Sequence, residues 1–280
     1  MEDAFFKMSL FILFLVLSLA GGIWLAPKLC AGYWMLPCAL GLFVSFFLGV
    51  LVLFALVMLI SGCFVDLGKE QKTRSRWFSF LIDQFLFMGF LFGGVRIHKK
   101  GLELVPRGEK FLLVSNHIYD FDPAIFIHCM PWAKLGFISK KENYTMFYVN
   151  KVMHRLHCLP IDRENDRAAL KTILKAAEIL KTCDHSMAVF PEGYESKTGE
   201  LLPFRNGAFK IAQRAGVSVV VAVLRGTKDI PKNMFRRPTH VDMEILGVIP
   251  AQEVCNVSTQ VVGDRAHLMM EKALARKGAV

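Results

Sequence analysis

The residues best suited to chemistry lie in one nonapeptide, Ser115-Asn116-His117-Ile118-Tyr119-Asp120-Phe121-Asp122-Pro123. The apolar run Phe111-Leu112-Leu113-Val114 before it reads as a short buried strand. Ala124-Ile125-Phe126-Ile127 after it reads as the first turns of a helix. Asp122 followed by Pro123 is a helix-start signal, with a carboxylate at the N-cap and proline at the first position. Inside one helix a five-residue spacing would set two side chains roughly 140° apart. Across a strand-to-helix loop they can turn toward each other instead. A carboxylate that accepts Nδ1–H fixes the imidazole tautomer and leaves Nε2 to take a proton, as a general base must. Solvated loop residues and a simple helix cap would have the same sequence, so the nonapeptide alone leaves both readings open.

Three more clusters carry polar groups at the ends of apolar runs. Val189-Phe190-Pro191-Glu192-Gly193 follows a strand-like segment, and open α/β sheets carry their sites at the carboxyl ends of strands. There Glu192 offers an acceptor for a hydroxyl, and Gly193 permits close backbone approach. Leu159-Pro160-Ile161-Asp162-Arg163 supplies a guanidinium fork suited to phosphate, and Lys140 stands just after an apolar run at 135–139.

The elements that must position these groups alternate. Strand-like runs are expected at 95–98, 111–115, 135–139, 158–161, 186–190, 217–224 and 241–249. Helical patterns are expected at 143–156, 168–182 and 204–215, with closing helices over 252–277. That alternation implies an α/β domain, a mostly parallel sheet flanked by helices, spanning 95–280.

In series, these motifs resemble the glycerolipid acyltransferases of the 1-acyl-sn-glycerol-3-phosphate acyltransferase family. Asn116-His117 with Asp122 matches the family's first motif. Lys140-Lys141-Glu142 and Ile161-Asp162-Arg163 match the second. Phe190-Pro191-Glu192-Gly193, with Gly199-Glu200-Leu201-Leu202-Pro203-Phe204 and Gly207-Ala208-Phe209 beyond it, matches the third. Val219 to Val223 resembles the apolar strand of the fourth. The resemblance covers about 95–250.

It implies transfer of an acyl group from a thioester of CoA or acyl carrier protein to a glycerolipid hydroxyl. His117 would be the base and Asp122 its orienting partner. Lys140 and Arg163 would hold an acceptor phosphate, and Glu192 and Gly193 would line the acceptor's glycerol. The expected acceptor is 1-acylglycerol-3-phosphate and the product phosphatidate, in phospholipid biosynthesis. No cofactor and no metal is implied. The histidine-cysteine group His154, His157 and Cys158 has helical spacing, but the resemblance gives structural residues there. The chain departs from the pattern at Tyr194-Glu195, where family members often carry Thr-Arg. A glutamate thus replaces an expected phosphate-binding cation, for which Lys197 and Arg205 are candidate substitutes. The departure keeps a non-phosphorylated or amine-bearing acceptor as the alternative. A thioesterase using water, and a non-enzymatic protein that binds anionic lipids, are the competing classes.

Composition adds the setting. Hydrophobic residues make up 54% of the 280-residue chain, and mean hydropathy is positive. Met8 to Pro27 has no charge, and as a helix it would span roughly 30 Å, about a hydrocarbon core. Leu29 to Val65 is also uncharged, and Pro27, Gly32 and Pro37 mark the turn between them. A secretory signal would need a basic start, whereas Glu2, Asp3 and Lys7 are acidic on balance. An uncleaved membrane hairpin over 1–65 is therefore expected, with a linker and interfacial helix at 66–94. A third crossing at 77–95 would be the alternative.

The acids and lysines of 1–65 cancel, so the net charge of +10 belongs to the rest of the chain. A tethered basic domain suits membrane lipids and anionic substrates; no nucleic-acid motif accompanies the charge. Lys69, Lys72, Arg74 and Arg76 follow the hairpin, against Lys28 alone in its turn. That asymmetry puts the domain on the cytoplasmic side; the plasma membrane is the expected location. Seven cysteines without a Cys-x-x-Cys pair suit a reducing compartment.

Overall fold

The computed structural model describes residues 2–69, 73–196 and 199–276, with side chains from residue 11 onward. Lys72, Lys197 and the end of the closing helix at Lys277 fall outside these residues.

Two long helices open the chain, α1 (Glu2–Leu29) and α2 (Met35–Cys63), joined through a 3-10 turn at Gly32–Trp34. Only 17% of the apolar stretch of α1 and 6% of that of α2 are buried within the protein. A core helix of a water-soluble protein would be buried mostly, so these helices have the exposed apolar faces of a hairpin made for lipid.

Helix α3 (Arg76–Phe92) begins at a Ser75 cap whose hydroxyl accepts from the Phe78 N–H. It buries Phe78, Leu81, Ile82, Met88 and Phe90. At one end Trp77 donates its indole N–H to Ser61 of α2, and at the other Phe92 meets Phe47 and Phe11. The segment expected to lie at an interface is thus packed between the hairpin and the domain that follows.

That domain runs β1 (Val95–Lys100), β2 (Phe111–Ser115), α4 (Asp122–Cys129), β3 (Gly136–Lys140), α5 (Val149–Arg155), β4 (Leu159–Ile161), α6 (Asp166–Thr182), β5 (Met187–Val189), α7 (Lys210–Ala215), β6 (Ser218–Arg225), α8 (Ile230–Asn233), β7 (Thr239–Ile249), α9 (Ala251–Asn256) and α10 (Thr259–Ala275). Among the described residues seven strands form one sheet in the order β1-β7-β6-β2-β5-β3-β4. All neighbours pair parallel except β6 and β7.

The central strands read as unbroken apolar runs because both faces are covered. Alternation then divides their side chains. Phe111 and Leu113 of β2, with Val220, Ala222 and Leu224 of β6, face α3, α4 and the base of the hairpin. Leu112, Val114, Val219, Val221 and Val223 face α6, α7, α9 and α10.

Two expected helices break where tertiary contacts override local propensity. The pattern at 143–156 becomes a 3-10 turn at Lys141–Thr145 and then α5, parted by Tyr148 at φ 66. Tyr148 spends that unfavourable backbone to reach the hairpin, where its hydroxyl donates to the Met58 carbonyl at 2.6 Å. The pattern at 204–215 likewise opens with a 3-10 turn, Asn206–Phe209, before α7.

His154, His157 and Cys158 do not form one cluster. His154 contacts the Lys69 carbonyl, whereas His157 Nδ1 lies 3.1 Å from His185 Nε2. Burial is the main cause that lowers both imidazoles, His185 to about 3, with the neighbouring His157 and Arg74 adding to it. Unfolded, His185 would titrate near 6.5. Between those values the unfolded chain binds more protons, so stability rises with pH and falls as pH drops below about 6.5. The thermal midpoint should decline from pH 7 to pH 5, and His185→Leu should flatten that decline. A midpoint independent of pH over this range in the wild type would contradict it.

Candidate active site

The carboxyl ends of four adjacent strands, β2, β5, β3 and β4, carry the polar clusters in a row. His117 follows β2, Gly193 follows β5, Lys140 ends β3, and Arg163 follows β4. At about 4.8 Å per strand the row covers roughly 14 Å. Parallel pairing is what brings four loops, far apart in the chain, to one edge.

His117 is buried, its ring stacked on Phe190 with centroids 4.3 Å apart. Its Nδ1–H donates to Asp122 Oδ2 at 2.8 Å; the carboxylate can only accept, which settles the tautomer and leaves Nε2 as the basic nitrogen. The same oxygen accepts the Ile118 and Tyr119 backbone N–H groups at 2.6 and 2.9 Å. Asp122 therefore does not cap its helix as the sequence suggested. It is the first residue of α4, and its carboxylate turns back into the loop to hold the histidine. Asn116 stitches β2 to the end of β6, its amide exchanging two bonds with Leu224: Nδ2 donates to the carbonyl at 3.0 Å and Oδ1 accepts the N–H at 2.8 Å.

Glu192 is buried and is not among the residues lining the cavity described below. One of its oxygens accepts the His117 N–H at 2.6 Å, the other the Leu202 N–H at 2.8 Å. Burial raises its carboxyl above the usual range, against these two donors. The expectation that Glu192 lines the acceptor glycerol thus meets a different geometry, in which it joins two loops. Gly193 does reach the cavity, at φ +77, a conformation that suits glycine.

A cavity of about 690 Å³ opens beside His117. Apolar side chains from α3, α4 and α5 line it, among them Phe85, Leu86, Ile127 and Val152. Lys140, Arg163, Glu195, Arg205 and Lys210 line it as well. The Lys140 ammonium lies 3.8 Å from the Glu195 carboxylate and 3.9 Å from that of Asp120. Arg163 is lowered chiefly by burial. Tyr194, which sequence reasoning did not single out, presents its ring to both Arg163 and Arg205. Phe190 stands within its motif without an assigned role, and the α3 wall was missed, its signal being only an amphipathic face.

A buried imidazole oriented by a carboxylate, beside a largely apolar cavity that also carries cations, has the geometry to take a proton from a bound group. Comparison with known proteins narrows that class. Residues 96–225 match the family model described as Acyltransferase. The 1-acyl-sn-glycerol-3-phosphate acyltransferase of Limnanthes douglasii is 28% identical over 165 residues, 56% of this chain and 58% of that protein. The chain thus spans well under two thirds of that relative. The human 1-acyl-sn-glycerol-3-phosphate acyltransferase alpha is 26% identical, over 78% of this chain and 76% of its own. In fold, the chain resembles the crystal structure of the 1-acyl-sn-glycerophosphate (LPA) acyltransferase PlsC from Thermotoga maritima. The TM-score is 0.63 at 22% identity, covering 81% of this chain and 91% of that one. Residues 96–225 are thus similar to an acyltransferase domain, and the relatives that share the motif series are 1-acyl-sn-glycerol-3-phosphate acyltransferases.

Proposed function

We propose that this protein transfers a fatty acyl group from acyl-CoA or acyl carrier protein to the free hydroxyl of 1-acylglycerol-3-phosphate, giving phosphatidate. The observation that carries the reading is His117, held by the buried Asp122, on the wall of a largely apolar cavity that Lys140 and Arg163 also line. His117 Nε2 takes the hydroxyl proton as the oxygen attacks the thioester carbonyl carbon. The tetrahedral adduct collapses, the carbon–sulfur bond breaks, and the imidazolium returns the proton to the departing thiolate. No covalent enzyme intermediate and no cofactor enters these steps. The apolar wall suits a fatty chain, and the cationic rim suits a phosphate. The names of the plant and human relatives support the same acceptor.

The exposed apolar hairpin supports work at a membrane, where a lysolipid is delivered from the bilayer. The basic residues that follow the hairpin support a cytoplasmic orientation.

The test is an assay of membranes with a labelled acyl donor against phosphorylated, neutral and amine-bearing lysolipids. Labelled phosphatidate should be the main product. Glu195 sharpens the outcome. If the acceptor is phosphorylated, Glu195→Arg should leave its KM unchanged or lower it, whereas Arg163→Ala should raise KM by about 10-fold or more. A wild-type preference for a neutral or amine-bearing acceptor, reversed by Glu195→Arg, would overturn the reading.

A further inference from the structure

The cationic rim has an unequal distribution of partners. Lys140 sits between two carboxylates, 3.9 Å from Asp120 and 3.8 Å from Glu195. Together the three groups carry a net negative charge, so Lys140 offers an incoming anion little attraction. The other cations that line the cavity are Arg163, Arg205 and Lys210, of which the two arginines lie together.

These two guanidiniums share one support. The Tyr194 ring centre lies 5.2 Å from the Arg163 guanidinium carbon and 5.3 Å from that of Arg205. Arg205 also donates from Nη1 to the Arg163 carbonyl at 3.3 Å, and its Nη2 lies 3.5 Å from the Tyr194 hydroxyl. Its backbone N–H is held by the Pro191 carbonyl at 2.8 Å. Its side chain crosses the Pro191-Glu192-Gly193 turn so closely that a Cβ on Gly193 would stand 3.0 Å from the Arg205 Nε. The close arginine makes the position tight for any side chain, and the φ of +77 favours glycine there. Both arginines line the cavity that His117 faces. The positive charge of Arg205 is also among the causes that lower Arg163, after burial. Two like charges this close repel until an anion sits between them.

We propose that Arg205 binds the acceptor's phosphomonoester together with Arg163, the two guanidiniums being held in register by Tyr194. The proposal rests on the acceptor being phosphorylated, as argued above. A phosphomonoester carries close to two negative charges at neutral pH and has the oxygens to accept from two planar forks. Glu195 lies near Lys140 and also acts on Arg163, so the second guanidinium, Arg205, is what keeps the site cationic.

The test is steady-state kinetics of the purified full-length protein in detergent, with 1-acylglycerol-3-phosphate and with 1-monoacylglycerol as acceptors. Arg205→Gln should raise KM for the phosphorylated acceptor by about 10- to 100-fold with a much smaller change in kcat. The ratio of kcat/KM for phosphorylated over neutral acceptor should fall by the same factor. Arg205→Lys should restore part of it. Tyr194→Leu, which keeps both charges but removes their support, should lower the same ratio by a smaller factor. An unchanged KM in Arg205→Gln, or an equal loss with both acceptors, would overturn the proposal while leaving the acyl-transfer reading intact. A wild-type enzyme that acylates 1-monoacylglycerol and not the phosphorylated acceptor would overturn that reading, and this proposal with it.

Discussion

His117→Ala is expected to lower acyl transfer by about 10²–10⁴-fold, the usual worth of a positioned general base. The imidazole touches Phe190 and Asp122 and otherwise borders the cavity, so its removal should leave folding and membrane association in place. Asp122→Asn should cost a similar amount by another route. Oδ2 now accepts from one imidazole N–H and two backbone N–H groups. An amide has one acceptor oxygen and a donor –NH₂, so it can turn the imidazole to the wrong tautomer or loosen the loop. Turnover with labelled donor, measured beside the thermal midpoint of each variant, separates chemistry from unfolding. Retention of more than about a tenth of wild-type turnover by well-folded His117→Ala would remove the general-base assignment.

Glu192→Gln should be the next most damaging change, and it decides between two roles. Both carboxylate oxygens of Glu192 accept backbone N–H groups, one from His117 and one from Leu202. In glutamine the –NH₂ replaces one acceptor, so one buried N–H faces a donor. Leaving such a group unsatisfied costs about 1–3 kcal/mol. Because one of the two belongs to His117 itself, the loss should move the base: kcat should fall about 10- to 100-fold, with a lowered thermal midpoint. A positioning role predicts that the loss is the same for every acceptor. If instead KM for the acceptor rises while kcat holds, Glu192 contacts the acceptor's glycerol, as the motif resemblance implied.

What could be read from residues alone was what is local or compositional. The uncharged runs Met8–Pro27 and Leu29–Val65 are enough to mark two long apolar helices, because length and polarity are counted along the chain. The unbroken apolar run Phe111–Val114 marks a strand covered on both faces for the same reason. The pairing of His117 with Asp122 was legible too, since only five residues and one loop separate them. The roles at the next shell were not. Asp122 looked like a helix cap, because residue type and position cannot show which way a carboxylate turns. Glu192 meets His117 across 75 residues, through a β2–β5 pairing that no spacing encodes. Arg205 and Arg163 meet on Tyr194 only after β4, β5 and the loop before α7 have been brought to one edge. Tyr148 gives up a continuous helix to reach Met58, a trade between local backbone preference and a distant hydrogen bond. Local preferences act over a few residues, whereas the sheet joins loops whose sequence separation is many times that; partners across it are therefore set by the tertiary structure.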